Sequence, residues 1–279
     1  MGSNINTIKR LSRKFQGIYI LSPYNPDYLL VKNSIESTGV TLTSTQNTAG
    51  NTLVNQLQSY NLWTKLKAIY GILGGTAGAH KWNWKDPRDL NSAYRLTFST
   101  GWTHASTGMT PNGTSAVIDT NLNENSILSL NNEHISIYSR TNSDGLYCDI
   151  GVGLGSDEST LFSKYTNIFY PRIQNTNTGI ANTISSLGHF ISNRINSTQV
   201  RAFQNGNIKL ITNNSSAKVS GTFFIAAMNR LTVIPPGNVA YYSNRQYAFA
   251  SIGDGLTDTE AANFYTAVQN YQTTLGRQV

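Results

Sequence analysis

The stretch Val200-Arg201-Ala202-Phe203-Gln204-Asn205-Gly206-Asn207-Ile208-Lys209-Leu210 decides the fold class. Val200 and Ala202 before Asn205-Gly206, and Ile208 and Leu210 after it, fall at every second position. Successive strand side chains point to opposite faces, so period two marks a strand with one face in a core. Asn and Gly both accept the positive φ that a type I′ turn needs at its two central positions, and the twist of that turn matches its flanking strands. The segment therefore predicts a β-hairpin. The same period appears upstream in Tyr94–Phe98 and Ile135–Ser139, and Phe223–Ala227 and Gln246–Ile252 read as buried strands. From about residue 93 to residue 252 there are roughly ten to thirteen strand candidates, separated by turn signals and not by helices. That pattern predicts a mainly β chain whose two antiparallel sheets pack face to face as a sandwich.

Both flanks of this region change period. Thr257 and Glu260 have capping-box spacing, and Ala261, Phe264, Val268, Tyr271 and Leu275 follow at intervals of three and four, with Gly276 as the stop. A C-terminal helix capping the sandwich is expected. Upstream, Leu53, Leu57 and Tyr60, then Trp63, Leu66 and Tyr70, form two one-sided stripes. They predict helices across residues 48–73, interrupted at Asn61 and ended by Gly71, Gly74, Gly75 and Gly78. Residues 1 to about 46 lack sustained periodicity. Gly17–Leu21 suits one strand, Ser22–Asp27 is turn chemistry, and Thr38–Thr48 reads as a linker. The expected organisation is an extended attachment arm over 1–47, a short helical linker over 48–79, and a sandwich with its closing helix over 80–279.

Composition narrows the function. Of a net charge of +7, four positive charges (Lys9, Arg10, Arg13 and Lys14) precede the first acidic residue, Asp27. The body is nearly neutral, so a nucleic-acid partner is not expected. Only 13% of residues are charged, and Asn, Thr and Ser make up about a third of the 279. These features suit exposed assembly surfaces with many neutral hydrogen bonds. The single cysteine, Cys148, excludes an internal disulfide framework. No apolar stretch approaches the roughly 20 residues that span a bilayer, and no secretory apolar run follows the basic residues. Synthesis in the cytoplasm is expected, with the sequons at Asn112, Asn196, Asn213 and Asn214 carrying no glycan.

Catalytic signatures are missing. His80, His104, His134 and His189 are scattered, without the spacing of a metal site. Gly151-Val152-Gly153-Leu154-Gly155 lacks the third-glycine spacing and following helix of a dinucleotide loop, and reads as strand-end glycines. No Gly-x-Ser-x-Gly elbow occurs, nor the Glu-x-Asp-x-Glu strand of sandwich glucanases. Asp86 and Asp89, around Pro87-Arg88, read as a turn lock, and Asp157-Glu158 as a solvated turn. The chain is not expected to be an enzyme, and a glycan-cleaving variant would need two facing carboxyls about 5–9.5 Å apart. No cofactor is expected. Calcium at Asp254 and Asp258 is the one metal option, short of the six or more oxygens that ion takes. Trp82, Trp84, Trp102, Tyr147 and Tyr241 are candidates for stacking on sugar rings, with core or interface packing as the competing role for the tryptophans.

WTKLKAIYGILGGTAGAHKWNWKDPR (Trp63–Arg88), LTFSTGWTHASTGMTPNGTSAVIDT (Leu96–Thr120), CDIGVG (Cys148–Gly153) and YSNRQYAFASIGDGLTDTEAANFYTAVQNYQTTLGRQ (Tyr242–Gln278) together resemble a family of concanavalin A-like, laminin-G-like jelly-roll domains. Such domains recur in structural proteins of tailed phages of Bacteroidota, including crAss-like phages. The likeness spans roughly residues 50–279. It implies a jelly-roll sandwich and a virion component: a capsid decoration, head fibre or tail appendage, present as a homo-oligomer or in many copies. It carries over no catalytic residue. The arm, through Lys9, Arg10, Arg13, Lys14, Tyr19, Tyr24 and Tyr28, would dock on the major capsid protein or other virion proteins. The alternative is an adhesion module for host-surface or mucin glycans, and the two can coexist.

Overall fold

The computed structural model describes residues 13–15, 18–20, 22–176, 179–181, 183–231 and 238–279. It is a mainly β, two-sheet sandwich with a helical layer on one side. Arg13–Phe15 and Ile18–Ile20 pair as a short antiparallel ribbon. The first sheet runs in the order Asn207–Thr212, Gln199–Gln204, Gly188–Arg194, Glu133–Ser139, Tyr247–Gly253, Gly108–Pro111, Trp102–Ala105. Leu66–Tyr70 also pairs with Tyr247–Gly253. The second sheet runs Ile180–Ala181, Ile168–Arg172, Asp157–Tyr165, Ile150–Leu154, Thr222–Ile225, Ile118–Asn123, Thr97–Phe98. Met228–Leu231 adds to it in parallel beside Ile150–Leu154 and pairs with Asn238–Ala240.

The hairpin at 200–210 forms as the sequence requires. Gln199–Gln204 pairs with Asn207–Thr212, and Asn205 (φ 49°) and Gly206 (φ 78°) occupy the turn. Inward residues of the two sheets make the inner core: Ile135, Ile137, Phe190, Tyr247 and Ile252 face Ile118, Ile150, Val152, Leu161, Phe169 and Ile225. The opposite face of the first sheet is also apolar. Tyr138, Ile191, Phe203, Ala248 and Phe249 form a second core with three helices. These are Pro26–Glu36, Ser44–Ser59 and the closing helix Asp258–Thr274. The last carries the expected capping box: the Glu260 N–H donates to Thr257 Oγ1, and the Thr257 N–H donates to Glu260 Oε2. Gly276 follows at φ 64°.

Two expectations need correction. The first concerns residues 48–73. A single helix ends at Ser59, Asn61 turns the chain at φ 58°, and Leu66–Tyr70 is a strand. Both faces of that strand are covered, with Ala68 and Tyr70 in the inner core and Leu66 and Ile69 against the helices. Buried on two sides, it shows no alternation, and its apolar spacing imitates a helix. The second concerns the arm. From Asn25, whose side chain accepts from the Asp27 N–H, the chain enters a helix with Pro26 in its first turn. Thr43 caps the next helix with its own capping box. The extended-arm reading therefore does not hold for residues 26–36 or 44–47, and the linker expected over Thr38–Thr48 is helical from Ser44 on.

Candidate functional site

Helices seal the outer face of the first sheet. Among the described residues, the outer face of the second sheet is covered by a small cluster: Cys148, Phe162 and Met228 are buried there, with Tyr170 and Tyr241 packed on them half-exposed. Strand parity explains this. Leu161 and Phe169 point into the sandwich, so their neighbours Phe162 and Tyr170, which are register partners, point outward. Beside them opens a cleft of about 160 Å³ lined by Leu146, Phe162, Tyr165, Tyr170, Arg172 and Tyr241.

The cleft is aromatic. The Phe162 ring lies 5.7 Å from that of Tyr241 and 6.4 Å from that of Tyr170, both edge-on, and Tyr165 lies 6.4 Å from Tyr170. Arg172 stands against two of these rings, its Cζ 5.1 Å from the Tyr170 centroid and 5.5 Å from the Phe162 centroid. Its Nη1 donates to Glu158 Oε2 at 2.7 Å, while its Nε is buried and has no hydrogen-bond partner among the described residues.

A buried ion pair holds the walls. Arg245 Nη1 donates to both carboxylate oxygens of Asp149, at 3.0 and 3.1 Å, and neither side chain is exposed. Arg245 Nη2 also donates to the carbonyls of Ser143 (2.9 Å) and Lys164 (2.7 Å). These contacts flank Leu146 and Tyr165. Asp149 accepts in addition from the Tyr247 hydroxyl and the Ser163 N–H, each at 2.7 Å. Burial and the Asp149 charge raise the Tyr247 phenol well above its ordinary range, so it remains a donor. Asp144 accepts from the N–H groups of Thr166 and Asn167 and so ties the Leu146 loop to the turn after Tyr165. The Cys148 N–H donates to the Tyr241 carbonyl and fixes the remaining wall.

Of the five proposed stacking residues, only Tyr241 lines this cleft. Trp82 and Trp84 are buried, 5% and 2% exposed, and are core residues unavailable to a ligand. Trp84 sits between Tyr28 (6.2 Å) and Tyr271 (5.9 Å). Trp102 is half-buried on an edge strand, packed 5.8 Å from Phe98 and donating to the Val117 carbonyl. Tyr147 is half-buried against Arg245. Phe162, Tyr165, Tyr170 and Arg172 were not anticipated. Their signal is the doubled apolar pair, Leu161-Phe162 and Phe169-Tyr170, in strands that should alternate.

Among the proposed docking residues, Tyr28 is buried in the helical core and donates its hydroxyl to Asn47. That role is withdrawn for it, because apolar burial requires the site the helix gives it. Tyr24 is half-buried, edge-on to Tyr28 at 5.7 Å. Lys9 and Arg10 lie outside the described residues, as do the side chains of Arg13, Lys14 and Tyr19.

The calcium candidates are engaged elsewhere. Asp254 pairs with Lys67 and Asp258 with Arg201. Among the described residues no group of three or more His, Cys, Asp or Glu could hold a metal ion. The histidines are not all isolated: His80 Nε2 accepts from the Gly75 N–H, which leaves its Nδ1–H facing His104 Nδ1 at 2.9 Å. The structure does bring two carboxyls together. Glu124 accepts from Ser159 and from the Val219 N–H, and buried Glu133 accepts from Gln174 close by. Burial, and then the Glu124 charge, push the Glu133 carboxyl well above the ordinary carboxylate range, and burial raises Glu124 as well. Neither residue is more than 1% exposed, and neither lines the aromatic cleft.

No protein-family model matches the chain, and no curated protein matches it. Among solved structures, domain 4 of AbnA, a GH43 extracellular arabinanase from Geobacillus stearothermophilus, aligns with 72% of this chain and 98% of that one, at TM-score 0.42 and 11% identity. The binding domains of botulinum neurotoxin serotypes D and G align with 76% and 72% of this chain, at TM-scores 0.43 and 0.42 and identities of 13% and 12%. This chain spans about half the length of those two toxin domains. Overlaps at these scores carry no argument, and the fold class stands on the sheets themselves.

Proposed function

We propose that the chain is a non-catalytic glycan-binding module whose site is the cleft of Leu146, Phe162, Tyr165, Tyr170, Arg172 and Tyr241. The observation behind this reading is the cluster of rings at a cleft on a sheet face that no helix among the described residues covers. Sugar rings present flat C–H faces that stack on aromatic rings, while tyrosine hydroxyls and a guanidinium supply polar partners. At about 160 Å³ the cleft is smaller than the roughly 300–1,000 Å³ of pockets that enclose drug-sized ligands. It suits one or two units of a chain whose ends remain in solvent. Such a site is weak alone and gains by repetition, since tethered copies raise the effective concentration. The closed burial of Glu124 and Glu133 favours binding without cleavage.

Display in many copies on a tailed-phage particle, attached through the residues before Ser22, belongs to the same proposal and rests on the sequence resemblance. Mass spectrometry of purified particles that lacks the chain would remove that part. The glycan reading is tested on a printed glycan panel with the wild type and Tyr170→Ala. Hits that disappear in the variant support it, and a panel without hits overturns it.

A further inference from the structure

We propose that the strand Asn207–Thr212 carries a two-fold contact between two copies of this chain, paired edge to edge about Leu210. Among the described residues four strands end the order of the two sheets. Trp102–Ala105 has four residues, Thr97–Phe98 and Ile180–Ala181 have two each, and Asn207–Thr212 has six. A short edge gives a neighbour little to pair with, whereas a long apolar edge is a template for another strand. This edge contains no proline and pairs with Gln199–Gln204 without a register shift. Ile208 and Leu210 are 40% and 54% exposed. They share a face with their register partners Phe203 and Arg201; Phe203 lies in the helical core, but Ile208 and Leu210 do not.

The backbone of this edge is open too. Opposite residues in an antiparallel ladder alternate between hydrogen-bonded and non-hydrogen-bonded pairs. The two-residue turn makes Gln204 and Asn207 a bonded pair, and the Asn213 N–H donates to the Thr198 carbonyl at 2.9 Å. The N–H and C=O groups of Asn207, Lys209 and Ile211 are therefore used within the hairpin. Those of Ile208, Leu210 and Thr212 point outward, to an edge that no described strand occupies.

The edge complements itself, as a two-fold interface requires. Only outward residues can bond across it, which leaves few registers. With Leu210 opposite Leu210, Ile208 of each copy faces Thr212 of the other, giving three bonded pairs and about six hydrogen bonds. Lys209, the one charge of the strand, then faces Ile211. The register with Ile208 opposite Leu210 has fewer bonded pairs and sets Lys209 directly against Lys209, which is unfavourable. Six residues bury less than the roughly 800 Å² per partner of a standard interface, so the contact is weak alone and suited to copies held close together. It does not depend on the aromatic cleft, which opens on the other sheet.

Sedimentation equilibrium of the full chain is the test. The wild type is expected to dimerise reversibly with a Kd of about 1–100 µM, in the range of small interfaces. Leu210→Lys sets two ammonium groups face to face at an exposed position and should weaken the dimer by about tenfold or more, with far-UV circular dichroism as the folding control. Leu210→Cys puts two thiols on the axis, where bonded pairs have Cα atoms about 5.5 Å apart, a separation a disulfide spans. Cys148 is buried and does not compete. Mild oxidation should give covalent dimer from Leu210→Cys and several-fold less from Lys209→Cys, whose Cα atoms would lie beyond the roughly 7 Å a disulfide reaches. A wild type that stays monomeric to about 1 mM, a dimer that Leu210→Lys leaves intact, or equal cross-linking of the two cysteine variants would each overturn the proposal.

Discussion

Arg245→Met should destabilise the chain strongly. The substitution leaves the Asp149 carboxylate with no exposure and no cation. Its two other donors, the Tyr247 hydroxyl and the Ser163 N–H, remain but carry no charge. Breaking one side of a buried ion pair costs about 3–5 kcal/mol. The loss is compounded because the carbonyls of Ser143 and Lys164 give up their donors. At roughly 2–4 °C per kcal/mol for domains of 150–250 residues, the thermal midpoint should fall by about 6–20 °C, toward the low end for a chain this long. Urea denaturation followed by far-UV circular dichroism, at neutral pH, measures the free energy directly. Asp149→Asn in the same background removes the stranded charge and should recover a large part of the loss. The single and double variants form a cycle that isolates the pair. A single-variant loss below about 1 kcal/mol, or free energies that simply add, would refute the claim that the pair is desolvated and clamps the loops. Under the same reasoning the single variant should bind any cleft ligand more weakly, because Leu146 and Tyr165 adjoin the freed carbonyls.

Gly71→Ala places a Cβ 2.1 Å from Cζ2 of Trp84, a ring boxed in by Tyr28 and Tyr271. Overpacking should cost about 1–3 kcal/mol, read as a lower urea midpoint at unchanged slope. Acid should weaken the fold before the carboxylates titrate. Burial pushes His80, His134 and His189 down to about 3, about 4 and about 3. The unfolded chain takes up their protons near pH 6.5, so between pH 6.5 and 4.5 stability falls as pH falls. The slope should reach roughly 1.4 kcal/mol per pH unit for each histidine. Glu133 acts in the opposite sense: its raised pKa gives stability that is present below the ordinary carboxylate range and lost as pH rises through the folded value. A stability profile flat from pH 4.5 to 6.5 would contradict the burial of the three rings.

Legibility in the sequence followed the number of faces an element buries. The closing helix buries one side, so its three-four spacing shows through. The hairpin at 200–210 was legible from its turn, Asn205-Gly206, and not from one-sided burial: Ala202 lies in the inner core and Phe203 in the helical core, while Ile208 and Leu210 stay 40% and 54% exposed. The capping residues Thr257 and Glu260 act locally and were readable for the same reason. Leu66–Tyr70 buries both sides and lost its period. Pro26–Glu36 was obscured by its own start signal, because Asn25-Pro26-Asp27 serves equally as a turn and as a helix N-terminus. The cleft was nearly invisible because it assembles residues from four distant places: Leu146, the 162–165 strand end, Tyr170 with Arg172, and Tyr241. Only register pairing puts Phe162 opposite Tyr170. The tryptophans drew attention by type alone: Trp82 and Trp84 fill the helical core, and Trp102 packs on Phe98 at an edge strand.

The two outer faces of the sandwich differ for a reason that bears on function. One presents Tyr138, Ile191, Phe203, Ala248 and Phe249 and is stable only under helices. The other presents small residues beside the rings: a Cβ on Gly151 would meet Thr160 at 2.6 Å, and one on Gly153 would meet Met228 at 2.5 Å. Close packing of the strands with their own neighbours leaves that face no stripe for a helix to bury. Rings left at its edge hold no helical layer in place, and Tyr165, Tyr170 and Tyr241 remain partly exposed there. Tyr170 discriminates between support and contact. If it is there for a ligand, Tyr170→Ala should cost no more than about 1 kcal/mol of stability, near the range of surface substitutions, while ligand affinity falls by about tenfold or more, as for an anchor residue. The comparison needs only a urea curve and one binding titration of the same sample. A large stability loss would make Tyr170 part of the fold and would move the search for the glycan contact to Tyr165 and Tyr241.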